Sequence, residues 1–302
     1  AEARGLAMKV KRIILGLLLL GGAAGWFLTA ARPPPASAVA GLSGDAIRGE
    51  AVFHAGGCAS CHFAPGAEGE ARRVLAGGQR FATQFGTFVA PNVSPDPDHG
   101  IGGWTLAEFA GAVTRGVSPA GEHYFPAFPY TAYQRMTLQD VADLWAFWPA
   151  LPASDTPSQP HQVAFPFSIR RSIGGWKMLF GGGDWALAGN LTPTEGRGRY
   201  LVEALAHCGE CHTPRGALGG LDRTRWLAGA PNPNGPGRIP NITPGALDWT
   251  EGEIAAYLTS GFTPGFDSAG GHMALVVDNM AKLPEADRQA VAAYLKRVSP
   301  VP

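Results

Sequence analysis

Charge is scarce in this chain. Only 16% of its 302 residues are Asp, Glu, Lys or Arg, against 45% hydrophobic, which excludes a disordered polyampholyte and a coiled coil. Net charge is zero, and residues 39–302 hold 19 basic and 23 acidic side chains, so the basic surface required by a nucleic-acid partner is missing. Long regular patterning is lacking too. The 42 glycines and 26 prolines break the chain into turns, and neither half has the alternation of apolar and polar residues that builds a sheet. No paired-carboxylate or Ser/His/Asp signature stands out, so no residue receives a catalytic role. A chain with so much loop needs help to form a core.

One apolar run is present, at the start. Ile13 to Ala31 are nineteen residues without a charge, preceded by Lys9, Lys11 and Arg12 and followed by Arg32 and three prolines. As a helix they would extend roughly 28 Å, which predicts a membrane anchor over 13–31. The basic bias places residues 1–12 in the cytoplasm and the rest, after a linker over 32–41, on the periplasmic side of a single-pass inner-membrane protein. Trp26 suits an interfacial position. The competing reading is a cleaved signal peptide ending at Ala36-Ser37-Ala38. Both export the remainder, where disulfides are the default use of cysteine.

The four cysteines are not spaced for that use. Cys58-Ala59-Ser60-Cys61-His62 and Cys208-Gly209-Glu210-Cys211-His212 are two copies of C-x-x-C-H and leave no cysteine over. Two thiols three positions apart can add to the two vinyl groups of one porphyrin, and the adjacent His then sits under the iron, so the pattern predicts two covalently bound haem c groups. A shared zinc site would have to join pairs 150 residues apart, each already provided with its own His, and a thioredoxin-like pair needs no such His.

That separation is one domain length, and the flanking segments repeat in order. Pro91-Asn92-Val93-Ser94-Pro95, Trp104-Thr105, Glu108 and Gly116 in the first half match Pro240-Asn241-Ile242-Thr243-Pro244, Trp249-Thr250, Glu253 and Gly261 in the second. Helical spacing is expected at Asp45–His54 and Glu195–Ala206 before the motifs, and at Thr137–Trp148 and Pro284–Val298 closing each half. The Pro- and Gly-rich stretch between them reads as an extended connector touching both halves.

With these segments and Tyr124-Phe125-Pro126-Ala127-Phe128-Pro129-Tyr130, residues 42–300 resemble class I cytochromes c, specifically membrane-anchored dihaem cytochromes similar to the cytochrome subunits of periplasmic alcohol and gluconate dehydrogenases. The resemblance implies an all-α fold of two tandem cytochrome c domains with loop-rich haem pockets, 42–152 and 191–302, joined by a connector over 153–190. It also implies electron transfer without transformation of the organic substrate.

The sixth iron ligand separates electron carriers from haems that bind substrates. Met136 alone stands between the loop and the closing helix of the first half, and so is assigned to the iron of His62. The resemblance has Met in some members where this chain has Phe128, which makes Met136 more necessary. For the iron of His212, Met273 matches the family position and Met280 is the alternative. His99, His123 and His272 are further distal candidates. Arg215, Arg80, Trp104 and Trp249 are candidates to reach the haem propionates, because a buried carboxylate needs an N–H or a cation.

Two functions compete. The first is an electron carrier between a dehydrogenase or reductase and a respiratory acceptor such as a terminal oxidase complex. The alternative is a dihaem peroxidase, which would need a labile ligand soon after the first motif, and Phe63 to Asp98 contains no His.

Overall fold

The computed structural model describes residues 2–233 and 237–302, and they are mostly helical. Helix α1 runs from Glu2 to Leu28, and here the expected anchor is corrected. Thr29 leaves the helix, so its charge-free part is Ile13 to Leu28, sixteen residues or roughly 24 Å, short of the roughly 30 Å hydrocarbon core. Among the described residues no helix is long and apolar enough to cross a membrane. The single-pass inner-membrane placement is therefore withdrawn.

The first half contains α2 (Ala46–Ala55), α3 (Cys58–His62), strands β1 (Arg80–Thr83) and β2 (Gly86–Val89), α4 (Leu106–Arg115), α5 (Tyr130–Tyr133) and α6 (Leu138–Phe147). The connector adds strand β3 (Gln162–Val163) and helix α7 (Ser172–Phe180). The second half has α8 (Pro193–Tyr200), α9 (Gly209–His212), strands β4 (Ala230–Pro231) and β5 (Arg238–Ile239), α10 (Glu251–Ser260), α11 (Gly271–Met280) and α12 (Glu285–Arg297). The all-α expectation is thus corrected locally. Thr83 and Gly86 close a β1–β2 hairpin, and β3 adds antiparallel to β2 with Thr87 opposite Gln162.

Each half is built on one helix crossing. Gly49 of α2 lies so close to α6 that a Cβ there would stand 2.0 Å from the Asp143 carbonyl oxygen, and Gly198 of α8 meets the Ala290 carbonyl oxygen of α12 at 1.9 Å by the same measure. Arg48 of α2 clamps the first crossing with 2.7 and 2.9 Å bonds to the buried Asp143 carboxylate. Asp143 titrates below the usual carboxylate range: burial opposes this, but the hydrogen bonds from Arg48, Asp45 and Gln139 prevail. Helices α4, α8 and α10 open on capping boxes, Thr105 with Glu108, Thr192 with Glu195 and Thr250 with Glu253.

The halves differ by one residue at a defined place. Gly49 precedes Cys58 by nine positions, whereas Gly198 precedes Cys208 by ten. The extra residue is absorbed by a π-turn, Leu201–Leu205, that continues α8.

Candidate functional site

The two C-x-x-C-H segments are held by the same local devices. A residue in the left-handed region precedes each, Gly57 at φ 61° and His207 at φ 42°, and turns the chain into a single helical turn that carries both thiols. The turn is then fixed at its histidine from two sides. The carbonyl of His62 accepts from Gly77 N at 2.7 Å while its Nδ1 lies 2.9 Å from the Pro91 carbonyl. For His212 the partners are Gly229 N at 2.7 Å and the Pro240 carbonyl at 2.8 Å.

A carbonyl oxygen only accepts, so Nδ1 carries the proton in both rings and Nε2 is left with a free lone pair. That is the tautomer of a histidine prepared to ligate a metal through Nε2. Burial lowers the pKa of both rings, with the hydrogen bond to proline opposing it, so both are neutral.

The proline carbonyls are themselves positioned. Asn92 Oδ1 accepts from Ser94 N at 2.9 Å, and Asn92 Nδ2 donates to Ser154 O at 2.8 Å. Asn241 repeats the pattern, with Thr243 N at 2.9 Å and Val301 O at 2.8 Å. The segment following each closing helix thereby pins the loop that orients each imidazole.

The thiols are free. Their surroundings push Cys58 and Cys208 up to about 12 and Cys61 to about 11, first through desolvation, so they are held as thiols. Two thiols at C-x-x-C spacing beside a neutral imidazole with an open Nε2 suit a porphyrin, which uses all three groups at once. Tyr130 adds a polar group without a protein partner: it is 3% exposed and its hydroxyl is unsatisfied, as befits a donor to a buried carboxylate supplied by a ligand.

The motifs meet along a seam. The Gly56 carbonyl accepts from Tyr133 Oη at 2.7 Å and faces His207 Nε2 at 3.4 Å. Thr131 donates to Glu210 at 3.1 Å, Asn279 of α11 donates to Ser60 Oγ at 2.9 Å, and the Cys61 thiol lies near enough to Cys211 to be pushed up by it.

The remaining sequence-selected residues fall as follows. Met136 is buried, 7% exposed, between α5 and α6. Met273 and Met280 lie two turns apart on α11; both pack against the core, Met280 deeply and Met273 partly. Arg215 bonds the side chain and carbonyl of Glu210, placing it beside Cys211. Arg80 reaches Gln162 at 2.6 Å in the hairpin. Trp104 packs partly buried against the core, and Trp249 stacks edge-on to Tyr257 at 5.2 Å. Both nitrogens of His123 are engaged, by the Thr29 carbonyl at 2.9 Å and Lys177 at 3.1 Å, which leaves it no lone pair for iron. His99 is exposed beside Asp96, and His272 lies against Phe81.

Sequence reasoning passed over Gly77 and Gly229, although Leu75-Ala76-Gly77 and Leu227-Ala228-Gly229 repeat the same word, and it passed over the seam residues Tyr133, Glu210 and Asn279, for which it offers no signal.

A match to the cytochrome c family covers residues 196–299. The chain is similar to a protein described as dihaem cytochrome c-type from Cereibacter sphaeroides, 61% identical over 284 residues that make up 94% of this chain and 96% of that one. It is also similar to the fructose dehydrogenase cytochrome subunit of Gluconobacter japonicus, 37% identical over 83% of this chain and 52% of the relative. The gluconate 2-dehydrogenase cytochrome c subunit of Pantoea cypripedii is 31% identical over 82% and 58%. The chain therefore spans about half the length of those dehydrogenase subunits, and none of these relatives is a peroxidase. By the extent and identity of the first of these likenesses, the chain belongs to the dihaem c-type cytochromes and carries covalently bound haem c.

Proposed function

We propose that the chain is an electron-relay subunit in which residues 42–152 and 191–302 form two tandem class I cytochrome c domains, one haem in each. Cys58 and Cys61 hold the first macrocycle and Cys208 and Cys211 the second. His62 and His212 would each ligate an iron through Nε2, and Met136 and Met273 would supply the second protein ligand to each. Bound haem c supplies a one-electron Fe(III)/Fe(II) couple. The protein's part is to fix each imidazole through its proline carbonyl, to exclude water, and to bring the two sites together at the seam. Arg215, Trp104 and Trp249 are the donors to the propionate oxygens, joined by Tyr130, whose buried hydroxyl has no protein partner.

The observation that carries this reading is the duplicated clamp on His62 and His212, which presents two identical Nε2 lone pairs beside paired thiols. The names of the dehydrogenase relatives support a dehydrogenase as electron donor, with a respiratory acceptor beyond. No acid, base or nucleophile is required, in keeping with a carrier.

The test is spectroscopic. The weak far-red absorption band that marks sulfur bound to ferric haem should be present, and Met136→Ala and Met273→Ala should each remove about half of it while Met280→Ala leaves it intact. Loss with Met280→Ala in place of Met273→Ala would move the second ligand. Absence of the band in the unmutated protein, with carbon monoxide binding readily at both haems, would refute the relay.

A further inference from the structure

Helices α4 and α10 occupy corresponding places after Trp104-Thr105 and Trp249-Thr250, yet their outer faces differ. In the first half the chain's own arm lies on α4: Pro33 and Pro34 cross Gly111 so closely that a Cβ there would stand 3.2 Å from Pro33 Cβ. Gly111, Thr114, Val117 and, from the arm, Val39 are all buried. The counterparts on α10 are bare: Ala256 and Thr259 are exposed and Phe262 is 58% exposed.

The cause lies in the route of the chain. Before α8 the connector is drawn to the buried Glu203 carboxylate in the π-turn, which accepts from Ala186 N at 2.5 Å and Leu187 N at 3.0 Å, and among the described residues no arm crosses α10. What remains between α10, α12 and the start of α8 is a groove of about 570 Å³, lined by Gly252, Ala255, Ala256, Thr259, Glu285 and Arg288. Arg288 is 8% exposed, bonds the Met280 and Leu283 carbonyls through Nη1, and has no partner at Nε. Glu251 and Glu285 stand on the rim where the first half has Leu106 and Leu138.

We propose that this groove seats an extended, proline-containing segment of a partner protein with a Lys or Arg beside the prolines. The first half shows what such a helix face accepts, Pro33 and Pro34 laid across it; at the counterpart of Gly111, α10 carries Ala256, whose Cβ holds a docked segment slightly further out. Proline keeps a segment extended with its carbonyls unpaired and with little entropy left to lose on docking. The acidic rim, absent from the first half, selects the basic residue. The proposal is independent of the haem ligands.

The probe is a fluorescein-labelled peptide of residues 31–42, Ala-Arg-Pro-Pro-Pro-Ala-Ser-Ala-Val-Ala-Gly-Leu, titrated by anisotropy against the haem-loaded full chain. One saturable site is expected, weakened at least tenfold by Ala256→Trp with the haem spectrum unchanged, and losing most of its salt dependence in Glu251→Gln/Glu285→Gln. No saturation at millimolar chain, or binding indifferent to Ala256→Trp, would overturn it. So would a dimer in sedimentation that Ala256→Trp dissolves, which would assign the groove to a second copy.

Discussion

Gly77 and Gly229 hold φ at +75° and +77°, and a Cβ on either would meet main-chain atoms of the proline loop at 2.5 to 2.7 Å. Their N–H groups bond the carbonyls of His62 and His212, so each glycine permits the loop to approach and anchors the histidine. Gly77→Ala or Gly229→Ala should cost about 2–3 kcal/mol, read as a lowered denaturation midpoint together with reduced haem content by pyridine haemochrome assay. Lys177 offers a pH test. Burial lowers it to about 8 from an ordinary 10.5, while its amine bonds the Arg115 and Gly116 carbonyls. Between those two values the unfolded chain binds the proton that the folded chain has released, so stability rises as pH increases across that window. Thermal midpoints measured across it should climb more in the unmutated protein than in Lys177→Met. Residue identity was legible wherever chemistry dictates spacing, as in both C-x-x-C-H motifs. The proton on Nδ1 was not, because the Pro91 and Pro240 carbonyls that fix it lie 29 and 28 residues further along the chain.

At the scale of elements, the closing helices fall where periodicity predicts them, Leu138–Phe147 and Glu285–Arg297, because a capping Thr137 or a Pro284 marks each start. Their crossings with α2 and α8 depend on Gly49 and Gly198. Either glycine replaced by Ala should separate the pair and lower stability by about 2–4 kcal/mol, measured by chemical denaturation, whereas the control Gly196→Ala, at an open position of the same helix α8, should lose none and gain up to about 1 kcal/mol. Strands β1 to β3 escaped the sequence because each spans four residues or fewer, too short for an alternating pattern to register. Helix α7 was hidden inside a stretch whose prolines and glycines read as extended, and α1 ends three residues early because Thr29 turns aside, its Oγ1 meeting Arg171 of the connector and its carbonyl meeting His123 of the first half. The π-turn left a trace, the one-residue excess between Gly198 and Cys208, but only a structural alignment of the two helix crossings shows where it lies.

For the molecule as a whole, the internal repeat was readable from Pro91-Asn92 and Pro240-Asn241, whereas the meeting of the motifs was not, since Gly56 and His207 are 151 positions apart and neither carries a periodic signal. Disrupting that seam should affect passage between sites more than either site alone. Tyr133→Phe, which removes the 2.7 Å bond to Gly56, is expected to lower stability by about 1 kcal/mol while both haem spectra persist; slower internal electron equilibration after flash reduction would register the loss. The contacts of Tyr133, Thr131 and Asn279 also mean that neither half possesses a finished outer boundary on this side. A protease that nicks the connector in its exposed stretch between Ala164 and Ser168, beyond the residues that hold Asn92, should therefore leave two fragments that co-elute on size exclusion and part only in denaturant, so that the polypeptide link there is dispensable to an assembled molecule once its halves have closed upon one another.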